Sequence, residues 1–411
     1  MKMTKQEKSW VLYDVGNSAF TMLISTIIPI FFKNLAAGAG IEGDLSTAYW
    51  GYAARITTII VAIIGPVLGT LGDHKGYKLP LFMTFALVGI VGCAVMGFAT
   101  NWLLFISLFI IAKVGMSGSN IFYDSMLCDI TAEERMDTVS TNGYAWGYIG
   151  SCFPFAVSLI LVLTAESTGI GTLNATIIAF IINALWWLLC TLPLVKSYKQ
   201  TYYVEKSEHP VKESFRRIKE TLTKMSHNKA IFSFLLAFFF YIDGVYTIIE
   251  MATSYGKDVG ITDNNLLLAL LLTQIVAFPC AIIFGRIAKK VESTKLINIS
   301  IIGYLAIALF AVQLDKTWEF WFLAVCVAIF QGGIQALSRS YFAKIVPKET
   351  SNEFFGIYDI FGKGAAFTGT FLVGLVTQLT GNSKFGVLVL PALFVIGYFA
   401  FRNHLKIVRK S

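Results

Sequence analysis

The chain of 411 residues is 56% hydrophobic and only 14% charged, with a mean hydropathy of +0.67 and a formal charge of +8. Soluble domains run at roughly 45–50% apolar and 25% charged residues, so this composition argues against a soluble enzyme or binding module and for a membrane protein. The positive charge would suit nucleic acid, but its distribution along the chain does not.

Crossing a bilayer takes about 20 apolar residues, and twelve such segments are predicted, near 9–35, 47–71, 79–99, 102–130, 137–164, 172–194, 229–256, 263–286, 296–313, 318–346, 354–379 and 385–401. The first is too long and too charged for a cleaved signal peptide, and it is read as a retained span. With the N-terminus inside, 25 of the 33 lysines and arginines fall on one side, against Lys257, Lys316 and Lys384 on the other. This positive-inside asymmetry removes nucleic acid as a partner and places both termini in the cytoplasm, with a bacterial plasma membrane as the expected location. Lys33, Arg55, Lys113, Arg339 and Lys363 fall within spans, and Lys33, near an outer end, can snorkel.

The one long polar stretch, 195–228, separates spans 6 and 7. It divides the chain into a six-helix bundle (1–194), a cytoplasmic linker (195–228) and a second six-helix bundle (229–411). Within the linker, ESFRRIKETLTKM (213–225) suits either a basic amphipathic helix on anionic lipid or a solvated connector. GPVLGTLGDHKGYK (65–78) and FGRIAKKVESTK (284–295) end the second and eighth spans alike, as FYDSMLCDITAEE (122–134) and SYFAKIVPKET (340–350) end the fourth and tenth. Such repetition predicts an all-α membrane protein of two pseudo-symmetric bundles, the common plan of secondary transporters.

Ionisable residues well inside the spans are Asp14, Arg55, Lys113, Asp124, Asp243, Glu250, Arg339, Asp359 and Lys363, and spans 3, 6, 9 and 12 contribute none. Charges in a bilayer are costly and face an interior cavity, so spans 1, 4, 7 and 10 are expected around a central pathway and spans 3, 6, 9 and 12 against lipid. Each pathway helix carries a polar stripe at helical spacing: Asp14, Asn17, Ser18, Thr21 and Ser25; Lys113, Ser117, Asn120 and Asp124; Asp243, Thr247 and Glu250; and Gln331, Gln335 and Arg339. Asp359 and Lys363, at i and i+4, read first as a structural pair. Arg339 with Asp124 fits either an ion pair between the halves or contacts to substrate. Asp14 and Asp243 have no basic residue within a turn of their own helix, which suits proton binding.

In GTLGDHKGYK, Gly69, Gly72 and Gly76 permit close helix approach and a tight turn, and Asp73 can accept hydrogen bonds from a neighbouring helix N-terminus, so Asp73 and Lys78 are candidates for a gate with Asp359 and Lys363. The histidines, His74, His209, His227 and His404, are all placed in cytoplasmic segments, so no intramembrane metal site is expected. The six cysteines are scattered in or beside apolar segments and read as packing residues. GIYDIFGKG (356–364) has the wrong spacing for a phosphate loop, so neither ATP nor any other cofactor is expected.

GTLGDHKGYK resembles the signature between helices 2 and 3 of the major facilitator superfamily. YDVGNSAF (13–20), FYDSMLCDI (122–130), NGYAWGYIG (142–150), YIDGVYT (241–247) and the long run 332–364 are similar to the vacuole effluxer family within it, which comprises the autophagy-linked fungal vacuolar permease and bacterial relatives. The resemblance implies a twelve-helix secondary transporter, associated in fungi with release of amino acids from the vacuole. It marks Asp14, Asn17, Tyr123, Asp243, Gly244, Gln335, Ser338 and Arg339 as positions of interest. The chain departs from the family at Val15, Gly16, Ile242, Asp124 and Ser125, so substrate identity does not carry over.

The expectation is therefore a proton-coupled or gradient-driven carrier of a small polar, zwitterionic solute such as an amino acid, monomeric and surrounded by lipid, and not an enzyme. Asp14 and Asp243 would take a proton or a cationic group, and Arg339 with Arg55 or Lys113 a carboxylate. Competing readings are a lipid or lipid-linked substrate carrier of the same fold, a non-transporting sensor or scaffold, and a sugar carrier using Tyr144, Trp146 and Tyr148.

Overall fold

The computed structural model describes residues 2–205, 216 and 228–410, so the candidate amphipathic segment 213–225 lies, apart from Arg216, outside the described residues. Among them, twelve helices are long and apolar enough to cross a membrane. Spans 1 to 6 are Lys5–Gly38, Leu45–Gly72, Lys78–Met96, Trp102–Ile130, Glu133–Leu163 and Thr172–Ser197. Spans 7 to 12 are Lys229–Asp258, Leu268–Ile287, Ser293–Ala311, Thr317–Ile345, Lys348–Thr380 and Ser383–Val408. An even number of crossings brings both termini to one face, called here the terminal face.

Local chemistry sets several helix ends. Thr4 caps span 1 through a reciprocal pair: the Glu7 N–H donates to Thr4 Oγ1 at 3.2 Å, and the Thr4 N–H donates to Glu7 Oε2 at 2.7 Å. Span 1 is not one continuous helix. It breaks between Ile24 and Ile27, with Thr26 in non-helical geometry, because the Pro29 ring crowds the carbonyl four residues earlier and cannot donate to it. The freed turn is closed by side chains, Thr26 Oγ1 donating to the Met22 carbonyl at 2.6 Å.

Packing repeats in the two halves. Span 1 lies on spans 5 and 6 as span 7 lies on spans 11 and 12, and span 3 packs on 4 and 6 as span 9 packs on 10 and 12. Between the halves, span 2 meets span 11 and span 5 meets span 8, a pair of contacts that a twofold axis would exchange. Spans 1, 7 and 10 are the most enclosed, 67%, 61% and 61% buried over their most apolar stretch, which puts them at the centre of their bundles.

Small residues let the helices approach. In the N-terminal half a Cβ on Gly115 would stand 2.8 Å from Gly89 Cα, and one on Gly92 would stand 2.8 Å from Ala112 Cβ. Spans 3 and 4 therefore touch backbone to backbone, where helix association in lipid depends on packing rather than on expulsion of water. Gly115→Val should force these helices apart and cost about 1–3 kcal/mol, the range of overpacked sites, read as a lowered melting temperature in detergent.

Candidate functional site

Arg339, on span 10 of the C-terminal half, is 3% exposed and sits inside the N-terminal half. Its Nη1 donates to Asp124 Oδ1 at 2.9 Å, its Nε to Ser140 Oγ at 3.0 Å and its Nη2 to the Ser140 carbonyl at 3.1 Å. Asp14 Oδ2 lies 3.6 Å from Nη2. The guanidinium carbon is 4.5 Å from the centre of the Tyr144 ring, 4.6 Å from Trp10 and 5.5 Å from Tyr123, so spans 1, 4 and 5 build an aromatic cage around it. Trp10 is held by its indole N–H donating to the Tyr123 carbonyl at 2.8 Å and stacks on that ring. Gly143 leaves the room: a Cβ there would stand 2.8 Å from Asp14 Oδ2 and 3.1 Å from Arg339 Nη2.

Nearer the terminal face the halves exchange further bonds. Asp137 on span 5 accepts from Lys344 Nζ and Ser340 Oγ, both at 2.6 Å, and from Ser293 Oγ at 2.9 Å. Asp73 accepts the backbone N–H groups of Asn352 at 2.9 Å and Glu353 at 3.1 Å, in the first turn of the helix of span 11, where the helix dipole favours an anion. Asn352 donates to the Gly69 carbonyl at 3.0 Å, and its side-chain oxygen accepts from Ser125. A Cβ on Gly69 would fall 2.6 Å from the Asn352 carbonyl, and Gly76 has a φ of +79°, which keeps the turn tight.

The turn carrying Asp73 is itself strapped down by the residues after span 6. Val204 and His74 form an isolated bridge, with the Val204 N–H donating to the Asp73 carbonyl at 2.8 Å. Asp129 anchors this strap, accepting from the N–H groups of Thr201 and Tyr202 at 2.9 Å, from the Tyr198 hydroxyl at 2.6 Å and from Lys78 Nζ at 3.0 Å. Lys78, expected as a gating charge, is thus wholly buried against an acid of its own half.

Away from the terminal face the charges continue along the interface. Asp359 and Lys363 pair at 2.6 Å, as their spacing suggested. Lys113 is half-buried and Glu250 is exposed. Arg55, also exposed, lies 5.6 Å from the Phe367 ring centre on span 11, which sets it against an aromatic ring across the interface between the halves. Asn17 donates to Asn120 at 2.7 Å and ties span 1 to span 4, while Gln335 is buried on span 10. Asp243 stands apart from these charges: it is fully buried on span 7, accepts from Thr247 at 3.2 Å, and among the described residues its Oδ2 has no hydrogen-bond partner.

The structure therefore brings Asp14, Asp124 and Arg339 into one cluster and pairs Asp359 with Lys363 in a second, while Lys113 and Glu250 form no ion pair within 4 Å among the described residues. Sequence reasoning passed over Asp137 and Asp129, at the edges of predicted spans 5 and 4. It also passed over the cage residue Trp10, whose only signal was a Trp within an apolar run. The last predicted span ended at 401, short of His404. This histidine lies inside the helix of span 12, fully buried and hydrogen-bonded to Ser233 Oγ at 2.9 Å and the Tyr341 hydroxyl at 2.7 Å, because the helix runs on to Val408 and turns this face inward.

The profile of the family described as "Vacuole effluxer Atg22 like" matches residues 45–406. An uncharacterized MFS-type transporter, YxiO of Bacillus subtilis strain 168, is 45% identical over 96% of this chain and 94% of its own length. Autophagy-related protein 22 of Saccharomyces cerevisiae strain S288c is 24% identical over 92% of this chain and 87% of its own. Among solved structures, the human organic anion transporter MFSD10 (TETRAN) superposes with a TM-score of 0.73 at 11% identity, over 97% of this chain and all of that one. The proton:xylose symporter XylE superposes with a TM-score of 0.69 at 11% identity, over 96% and 93%. At such identities the likeness is one of fold.

Removing one partner of a buried ion pair costs about 3–5 kcal/mol because the other charge is left uncompensated. Arg339→Gln should therefore lower thermal stability far more than Arg55→Gln. Adding Asp124→Asn to Arg339→Gln should recover part of the loss, a non-additivity that a double-mutant cycle in melting temperature measures.

Proposed function

Because the chain belongs to the vacuole effluxer family of major facilitator transporters, we propose that it is a proton-coupled, alternating-access carrier of a small zwitterionic solute, with an amino acid as the leading candidate. The observation that carries this reading is a set of buried ion pairs of both signs: Arg339 of the C-terminal half against Asp124 and Asp14 of the N-terminal half, and Asp359 with Lys363 on span 11. In such a network a solute must replace what it displaces. A zwitterion offers an ammonium to a carboxylate and a carboxylate to a cation, so both broken pairs find new partners. A singly charged solute would leave one buried charge unmatched.

The moving units are residues 1–194 and 229–411, joined by the linker 195–228, in a monomer with both termini in the cytoplasm of a bacterial plasma membrane. On this reading the structure is the state closed to the cytoplasm. Arg339, Asp137 and Asp73 hold the terminal face shut, and the second charge cluster is the one an arriving solute meets. Solute competing for Asp124 and Lys363 loosens the grip on Arg339. As the halves rock, Asp73 parts from the span 11 helix start and Asp137 from Lys344. Asp243, which forms no ion pair among the described residues, is the group whose charge a proton cancels before it moves.

Thermal stabilisation of the purified protein by a panel of amino acids, small peptides, sugars and lipids at two pH values tests the cargo. A solute at a hundred times its Kd adds about 2.7 kcal/mol to the native state. A zwitterion should raise the melting temperature with a pH dependence that Asp243→Asn removes. Stabilisation by lipids alone, indifferent to that substitution, would overturn the reading in favour of a lipid carrier. The gate has a separate readout. Spin labels at the exposed positions Lys75 and Lys289, one on each half, should report a longer mean separation in Asp73→Asn than in the otherwise unchanged protein, because the closed face loses its anion at the helix start.

A further inference from the structure

A cavity of about 390 Å³ lies inside the C-terminal bundle, lined by side chains from all six of spans 7 to 12 and, among the described residues, by none from the other half. Asp258 and Gln378 stand at the end facing away from the terminal face, since both lie at the far ends of their spans. Thr247 and Gln331 lie eleven residues inward from Asp258 and Phe320, about 16 Å along a helix at 1.5 Å per residue. Between mouth and floor the lining is largely aliphatic and aromatic. At the inner end Thr247, Thr273, Gln274 and Gln331 gather four polar side chains, enough partners to hold water.

Behind this inner end is Asp243. Thr247, which lines the cavity, donates its hydroxyl to Asp243 Oδ1 at 3.2 Å. The carboxyl group rests against the backbone of Gly369 on span 11, where any Cβ would collide with the carboxylate and with the Thr247 hydroxyl, so only glycine leaves this niche open. Span 12 brings Phe394 against Gly244, span 9 stacks Tyr304 on Phe394, and span 10 brings Ser338, bonded to Tyr241. None of these neighbours is a cation. Glu250 shares this face of span 7 with Asp243 and Thr247 but is not among the residues lining the cavity, which among the described residues takes none from the N-terminal half, whereas the solute pathway lies between the halves.

We infer that this cavity is the route by which a proton from the face opposite the termini reaches Asp243, separate from the route taken by the solute. The inference rests on the proton-coupled reading above and deepens it by naming the path. A hydronium ion at the inner end of the cavity gives a proton to Thr247 Oγ1 while that hydroxyl passes its own proton to Asp243 Oδ1. Water is left behind, the threonine is regenerated and the carboxylate becomes a neutral carboxyl group. The apolar walls exclude a zwitterion, whose two charges would be stranded there, and this keeps proton and solute apart.

Dicyclohexylcarbodiimide, an apolar reagent that captures protonated carboxyl groups, tests the route when the full chain is treated in detergent and its modified peptides are mapped by mass spectrometry. Asp243 should be modified. Two substitutions fill the cavity: Gly374→Trp, where a Cβ meets nothing within 4 Å, and Ala324→Trp on the opposite wall. Each should slow modification of Asp243 by roughly tenfold, a barrier rise of about 1.4 kcal/mol, while Glu250, on the solute pathway, reacts at its original rate. Unmodified Asp243, an unchanged rate in both filled variants, or equal slowing at Glu250 would each overturn a separate route. Failure of the coupling reading looks different: Asp243 is labelled through the cavity as expected, yet Asp243→Asn leaves the pH dependence of solute stabilisation intact.

Discussion

A guanidinium from one half of the molecule buried within the other is the constraint on which the rest of the arrangement depends. Arg339 cannot be buried without compensation, since an isolated charge in a medium of low polarity costs many kcal/mol. Two carboxylates, the hydroxyl and carbonyl of one serine, and three aromatic faces supply it, and every one of these groups belongs to the opposite half. The halves must close at this level for the cation to be satisfied. Once they do, Asp137 meets Lys344, and Asp73 meets the start of the span 11 helix. Glycines at 69 and 143 are the steric condition for that approach.

Holding a protein shut by ion pairs rather than by apolar packing has a mechanical consequence. Apolar contacts in a membrane gain little over contact with lipid, whereas a buried ion pair is broken at high cost unless its members find other partners. The closed face is therefore stable, and on the proposed function it is open to exchange by a solute carrying both signs of charge. The strap formed by residues 198–204, anchored on Asp129, makes the Asp73 turn part of a rigid unit that includes the start of the linker. The shared fold with transporters of organic anions and xylose, at 11% identity, leaves recognition to this chain's own side chains.

Hydropathy and charge alone carried the twelve spans, their grouping in sixes and the separation of charge-bearing from charge-free helices, because the cost of placing a charge or an open backbone group in lipid acts on each segment independently of its neighbours. The Asp359–Lys363 pair was equally legible, since one helical turn fixes the separation of its members. Other features lay outside such local rules. Asp137 and Asp129 sit at span ends, where an acid ordinarily faces water, and nothing in their neighbourhoods marks them as hubs. Lys78 obeys the positive-inside pattern and is nonetheless wholly buried, because Asp129, 51 residues later, folds over it. His404 follows an arginine and an asparagine and still points into the bundle.

The amino-acid sequence by itself determined that the chain spans a membrane twelve times, which helices carry charge and on which helical face each polar group lies. Only the tertiary structure decided the partners: that Arg339 pairs with Asp124, 215 residues away, that Asp14 shares the same guanidinium, and that Asp243 Oδ2 is left without a hydrogen-bond partner among the described residues, beside a cavity in its own half. Periodicity reports where a side chain points around its own axis. It carries no information about which of eleven other helices stands opposite, because that is settled by the summed packing of glycines, aromatic rings and ion pairs brought together from distant parts of the chain.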